Sequence, residues 1–236
     1  MKKIKILTLF PEIFTPWKDH SIIGRATKDQ KVNIDIINFR DYSDDKKHKT
    51  VDDTPYGGGD GMLLKVQPIR DCLKTNSNKR THKILLSPHG TTFNQAKAQE
   101  LASKDEILFI CGHYEGFDQR IESYVDEVIS VGNFITTGGE VVAMLLADAI
   151  IRNYPKVIKK GSLDNDSFTN DLLDYDSYTR PFDYEGNKVP LVLLSGDHKE
   201  IADWRKQNQE DKTKKYKPDM WKQYLKNKNH GGKHEK

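Results

Sequence analysis

Apolar positions recur along this chain in two rhythms, short unbroken or alternating runs and helical spacings. Residues 106–111, EILFIC, are short, almost wholly apolar and β-prone, and stop at Gly112, the pattern of a strand buried on both faces. Residues 125–131 mix β-branched positions with Asp126 and Glu127 and stop at Gly132, which predicts a second strand ending in a glycine turn. Residues 3–10 predict a strand ended by Pro11, residues 21–30 a helix, and residues 32–36, VNIDI, a strand by alternation. This β, α, β order favours a parallel sheet and hence an α/β fold. Residues 83–87 add a short buried strand ending at Pro88-His89-Gly90, and residues 93–102 the helix leading to the central strand. Residues 62–72 read as a helix interrupted by Pro68. Residues 140–154, EVVAMLLADAIIRNY, are apolar at nearly all angles, so this helix is expected to be buried all round, against a partner chain as well as its own sheet. A single core helix has the same pattern.

The rhythm breaks after residue 160. Residues 161–186 carry seven acids against the single Arg180, with few aliphatics, and predict a mobile linker. Asp197 and Glu200 have the D-x-x-E spacing of a helix capping box, and Pro218 suits the first turn of another helix carrying Met220, Trp221, Tyr224 and Leu225. The expected organisation is an α/β domain over 1–160, a flexible linker over 161–189 and a small helical domain over 190–236. Its tail from Asn227 is polar and basic and is expected to be disordered; His230 and His234 alone do not make a metal site.

Composition narrows the classes. Among 236 residues 36% are hydrophobic and 31% charged, with no run of eighteen apolar residues and no signal-peptide pattern, so a soluble cytoplasmic protein without a membrane span is expected. Cys72 and Cys111 are far apart and outside any CxxC pair, which predicts reduced, buried thiols. The net charge of +3 hides an asymmetry: residues 199–236 hold twelve Lys and Arg against six Asp and Glu. A basic C-terminal module interleaved with aromatics fits a phosphate-bearing partner, although scattered lysines more often mark a solvated face.

The candidate chemistry lies at the glycine turns. Two strands ending side by side in glycine loops, with Tyr114, Glu115 and Asn133 among them, make a small-molecule site at the carboxyl edge of a parallel sheet. The polar loop over 41–61 ends in GGGDG, which is neither a phosphate-binding P-loop nor a dinucleotide fingerprint. The cluster at residues 48–53, HKTVDD, in front of it tilts that loop toward function.

Long motifs then converge on one family. LTLFPEIF at residues 7–14, HKTVDDTPYGGGDGM at 48–62, LLSPHG, CGHYEGFDQR, VGNFITTGGE, DSFTNDLLDYDSYTRP at 166–181 and SGDHKEIADWR occur in one order. Over nearly its full length the chain resembles the bacterial tRNA (guanine-37-N1)-methyltransferases, knotted S-adenosylmethionine enzymes. The resemblance implies a trefoil knot in the α/β domain, a homodimer, S-adenosyl-L-methionine as methyl donor and tRNA as substrate. The cofactor contacts it implies fall on Pro88, Gly112, Tyr114, Glu115, Gly116, Val131, Gly132, Asn133, Phe134, Ile135, Thr136, Gly138 and Gly139. Its catalytic aspartate falls at Asp166 and its arginine at Arg152. It also brings magnesium (Mg2+) as an auxiliary ion, for which the sequence offers no ligand spacing. Asp60 stands where the family has proline, VGNFIT replaces IGDYVL, GGEVVAM lacks a proline, and His113 occupies a position where arginine is also found.

The implied chemistry has its own logic. Guanine N1 carries a proton that must leave, so a general base is required, and negative charge then spreads onto O6, where a guanidinium is a suitable stabiliser. Two alternatives compete with it, a ribose 2′-O-methyltransferase of the same knotted class and a non-catalytic RNA-binding protein.

Overall fold

The computed structural model describes residues 1–164 and 166–231. Its contacts divide the chain into Met1–Ile158 and Lys159–Lys236.

The first unit is built on five parallel strands: β1 (Lys2–Thr8), β2 (Val32–Asn38), β3 (Thr81–Thr92), β4 (Glu106–Ile110) and β5 (Glu127–Ser130). They lie in the order β2-β1-β4-β3-β5. Alternation divides their side chains between two cores. Ile4, Ile6, Ile84, Ile107 and Phe109 face one layer with α1 (Ser21–Lys28), α3 (Gln95–Ser103) and α4 (Glu140–Ile151). Leu7, Leu85, Leu108 and Ile110 face the other, with Ile69, Cys72 and Leu73 of α2 (Val66–Asn76). The central strand β4 is buried at all five positions, and each of its four apolar side chains contributes about 1.5 to 3 kcal/mol of burial. Its one acid, Glu106, accepts hydrogen bonds from Thr81 Oγ1 at 2.6 Å and Lys5 Nζ at 2.9 Å. Burial pushes its pKa up, but Thr81 and Lys5 outweigh that and leave it below the ordinary glutamate value.

Several expectations are corrected. Pro68 does not interrupt its helix: it is the third residue of α2, where a missing N–H has no intrahelical carbonyl to lose. Strand β3 does not end at Ser87 but runs to Thr92, because residues 87–90 bulge out of register between the Leu86 and Thr91 pairings with Ile129. Pro88 cannot donate a ladder bond there, and at Gly90 a Cβ would sit 2.6 Å from the Val128 and Ile129 backbone. The all-round burial expected for helix α4 included a partner chain, and within one chain it leaves a stripe open: Val141 is 61% and Leu145 53% exposed, and exposed Asp148 continues it. The long loop over 41–61 is partly ordered by its own polar groups. Asp45 Oδ1 accepts from the N–H groups of Lys47 and His48, Asp52–Asp53 pairs antiparallel with Leu63–Leu64, and Val51 is fully buried.

In the second unit, α5 (His198–Tyr216) and α6 (Pro218–Gly231) pack together, with Tyr224 Oη donating to Glu210 at 2.9 Å. Asp197 caps α5 by accepting from the N–H groups of Lys199 and Glu200. The reciprocal half of a capping box is replaced: the Asp197 N–H goes to Ser195 Oγ, not to Glu200. Within the segment expected to be a linker, Asp176 bonds Asn208 and Lys212, Leu173 N–H donates to Thr213 Oγ1, and Leu172 is buried. The tail read as disordered from Asn227 is helical to Gly231; residues 232–236, including His234, and Asn165 lie outside the described residues, as does the side chain of His230.

Candidate functional site

The carboxyl ends of β3, β4 and β5 open together into one cavity of about 530 Å³. That is within the range of small-molecule sites, and its position at strand carboxyl ends is where parallel sheets bind ligands. Three walls make it: the β3 bulge from Leu85 to His89, the turn from Gly112 to Phe117 after β4, and the stretch from Ile129 through Gly139 into Val142 at the start of α4. Of the thirteen residues expected around a cofactor, all but Asn133 line this cavity; Asn133 is exposed and outside the lining.

Close backbone approach shapes the cavity. Gly139 N–H donates to Gly112 C=O at 2.8 Å, which ties the last loop to the turn after the central strand. A Cβ on Gly139 would stand 2.8 Å from Cys111 Cα and from Gly112 N, so glycine is required for this packing. Tyr114 sits at φ 58°, a left-handed conformation that costs a non-glycine residue of order 1 kcal/mol, and its ring packs edge-on against His113. The segment leading out of the GGGDG loop is bound to the same turn, through Glu115 N–H to Met62 C=O and Leu64 N–H to Gly116 C=O. The sequence motif CGHYEG is thus held from two sides by backbone alone.

Several lining residues were not among the site residues expected from the sequence. His89 bridges two walls, with Nδ1 2.9 Å from Ser87 Oγ and Nε2 2.8 Å from Glu122 Oε1. Gln119, Ile121 and Glu122 come from a 3-10 turn, Gln119–Tyr124, that has no periodic pattern. His113 lines the cavity while its Nδ1 is buried, with no hydrogen-bond partner among the described residues. Beneath it, Glu140 is 5% exposed and accepts from fully buried Thr8 Oγ1 at 2.8 Å. Cys111 is buried and free, its thiol pushed up by burial and by the neighbouring Glu140 carboxylate; Cys72 is pushed up to about 12 by burial. Neither is poised as a nucleophile.

The two expected catalytic residues lie in different units. Arg152 is the C-cap of α4, at the opposite end of a twelve-residue helix from the cavity, roughly 18 Å along the axis. Asp166 is half-buried and follows the short helix Lys160–Asp164 in the second unit. Among the described residues no three His, Cys, Asp or Glu side chains gather as a metal site. The second unit also stacks cations on aromatic rings: Arg205 lies 4.7 Å from the Tyr175 centroid and Lys206 4.9 Å from that of Tyr224. No helix among the described residues is long and apolar enough to cross a membrane.

Residues 1–223 match the model of the family described as tRNA (Guanine-1)-methyltransferase TrmD. Proteins named tRNA (guanine-N(1)-)-methyltransferase are similar throughout. The one from Ureaplasma urealyticum is 52% identical over 96% of this chain and 99% of its own length. Those from Metamycoplasma arthritidis and Mycoplasma genitalium are 54% and 48% identical, over 92% and 96% of this chain and 95% and 98% of their own lengths.

Proposed function

The chain belongs to the tRNA (guanine-1)-methyltransferase family, and from that premise we propose that it moves a methyl group from S-adenosylmethionine to N1 of guanine 37 of tRNA, beside the anticodon. The observation that carries this reading is the 530 Å³ cavity at three parallel strand ends, lined by the glycine turns of CGHYEG and TTGGE. Its glycine-cradled backbone and mixed polar and apolar lining fit a nucleoside-containing cofactor. Neither the ribose 2′-O-methyltransferase nor the non-catalytic RNA-binding alternative is favoured by the family match.

When bound, S-adenosylmethionine supplies an electrophilic methyl group on a sulfonium. The work left to the chain is on guanine. We assign to Asp166 the removal of the N1 proton and to Arg152 the stabilisation of charge on O6. A planar guanidinium suits that second role better than an ammonium. The basic segment of the second unit, residues 199–236, with its lysines and arginine stacked on tyrosines, is assigned to the RNA.

We further propose a homodimer. The exposed Val141 and Leu145 stripe on α4 is an apolar face for a second copy, and Arg152, about 18 Å of helix away from the cavity start, would serve a partner's site rather than its own. The trefoil knot belongs to the same proposal. After edge strand β5 the chain turns back past β3 to bond Gly112 at the end of β4 before entering α4, a return path that supports threading. Action on tRNA sets the protein in the cytoplasm.

The test is direct. Purified protein, labelled S-adenosylmethionine and an unmodified tRNA with guanine at position 37 should yield 1-methylguanosine in nucleoside mass spectrometry. A product carrying 2′-O-methylguanosine, or no methylation with RNA binding intact, would overturn the assignment.

A further inference from the structure

We propose that Glu122, together with Glu115, gives the cavity an uncompensated negative charge that distinguishes the cationic methyl donor from its neutral product, S-adenosylhomocysteine. The inference rests on the reading of the cavity as the S-adenosylmethionine site. To that reading it adds Glu122 as a specificity-determining residue that acts through its charge.

The charges around the cavity are one-sided. The chain has 38 Lys and Arg against 35 Asp and Glu, yet among the described residues the lining holds Glu115 and Glu122 and neither a lysine nor an arginine. Arg120, on the same 3-10 turn as Glu122, is outside the lining and already paired: its Nε and Nη2 donate to Asp118 Oδ1 and Oδ2 at 2.9 and 2.5 Å. Glu140, behind Gly138, accepts from Thr8 Oγ1 and lies in the first turn of α4, where the helix dipole offsets its charge. The titratable groups of the lining are therefore the two carboxylates, His89 and His113.

Neither carboxylate is loosely placed. Glu122 Oε1 lies 2.8 Å from His89 Nε2, and His89 Nδ1 lies 2.9 Å from Ser87 Oγ. An ionised carboxylate only accepts, so Nε2 carries a proton. Nδ1 can then accept the Ser87 hydroxyl proton, which leaves a neutral imidazole satisfied on both sides and the Glu122 charge uncancelled. Glu115 packs over Gly61: a Cβ there would stand 2.8 Å from Glu115 Oε1, and the backbone at φ 82° also favours glycine.

Methyl transfer changes one charge on the ligand. The bond from sulfur to the methyl carbon breaks with its electron pair left on sulfur, N1 of guanine supplies the pair for the new bond, and the N1 proton passes to the base. What enters as a sulfonium leaves as a neutral thioether, with the amino-acid and nucleoside parts unaltered. A sphere of 530 Å³ is about 10 Å across, so the sulfur lies within roughly that distance of the walls that carry both carboxylates. The Glu122 side chain is 32% exposed; after solvent screening, one such charge should favour the sulfonium by about three- to tenfold. The carboxylates that help to hold the donor thus give up that attraction once the methyl group has gone.

Calorimetry with both ligands separates charge from contact. Glu122→Gln keeps the shape and an oxygen for His89, and should weaken S-adenosylmethionine about three- to tenfold while S-adenosylhomocysteine stays within about twofold. Glu115→Gln should act in the same sense, and the double variant should lose more than either. His89→Gln offers Glu122 an uncharged N–H donor and should leave the ratio of the two affinities within about twofold of wild type. The unchanged product affinity is itself the sign that the cavity is intact. If Glu122→Gln weakens both ligands equally, or neither, Glu122 acts by contact or not at all and the proposal is overturned. A ratio that rises in His89→Gln would overturn it too, by showing that an imidazolium already cancels Glu122. Wild-type protein that binds neither ligand sinks the functional reading, whereas wild type that binds both, with a ratio indifferent to Glu122→Gln, sinks this inference alone.

Discussion

At the scale of single residues, the site depends on where side chains are missing as much as on where they are present. Gly139 packs on the backbone of Cys111 and Gly112 closely enough that one added methyl group has no room. In Gly139→Ala the loop must retreat from the end of β4, and calorimetry should show S-adenosylmethionine affinity reduced by at least about tenfold in a folded protein. Unchanged affinity would mean that this loop does not shape the binding site. Asp166 answers to a different measurement. If it takes the N1 proton, Asp166→Asn keeps size and hydrogen-bonding reach but cannot act as a base, so turnover should fall by roughly 10² to 10⁴ with cofactor affinity unaltered. A loss of tRNA affinity in place of turnover would move Asp166 from the chemistry to RNA contact.

At the scale of elements, β4 shows what a buried strand does with its one charge. Glu106 is held below its ordinary pKa of 4.5 by Thr81 and Lys5 against the cost of burial. A depressed carboxylate stabilises the fold fully above its unfolded pKa and loses that contribution as pH falls through the lower folded value. Glu106→Gln should therefore cost about 2 kcal/mol at pH 7 in urea unfolding, and the difference from wild type should shrink below pH 4.5. A constant difference down to pH 2.5 would show that lost packing, not the ion pair, sets the cost. Strand β4 was legible in the sequence because both its faces are apolar, and the glycines that end it and β5 disclosed the cavity for the same local reason. The β3 bulge was not legible, since a Pro-His-Gly turn looks the same whether a strand ends there or resumes at Thr91. Thr8 and Glu140 were missed too: each reads locally as an unremarkable polar residue, and their burial comes only from a partner 132 positions away. His89 and Glu122 are hidden in the same way, joined across two walls by a contact that no periodicity encodes.

At the scale of the whole molecule, composition separates two tasks. The five-stranded sheet, both cores and the complete cavity lining belong to Met1–Ile158, while the basic residues of 199–236 belong to Lys159–Lys236, where cations already stack on tyrosines. A protein ending at Ile158 should therefore fold, show cooperative thermal unfolding and bind S-adenosylmethionine with near-native affinity. It should not methylate tRNA. In the full chain, RNA affinity should fall steeply with salt, because each lysine or arginine that meets a phosphate releases a counterion, at a slope near 0.9 per contact in duplex regions and 0.7 in single strands. Replacing Arg205 and Lys206 together by Ala should lower that slope by one to two units and weaken every tRNA alike, since phosphate contacts carry no sequence information. If the slope is unchanged and one tRNA is selectively lost, those side chains read bases, and the electrostatic assignment of this module is wrong.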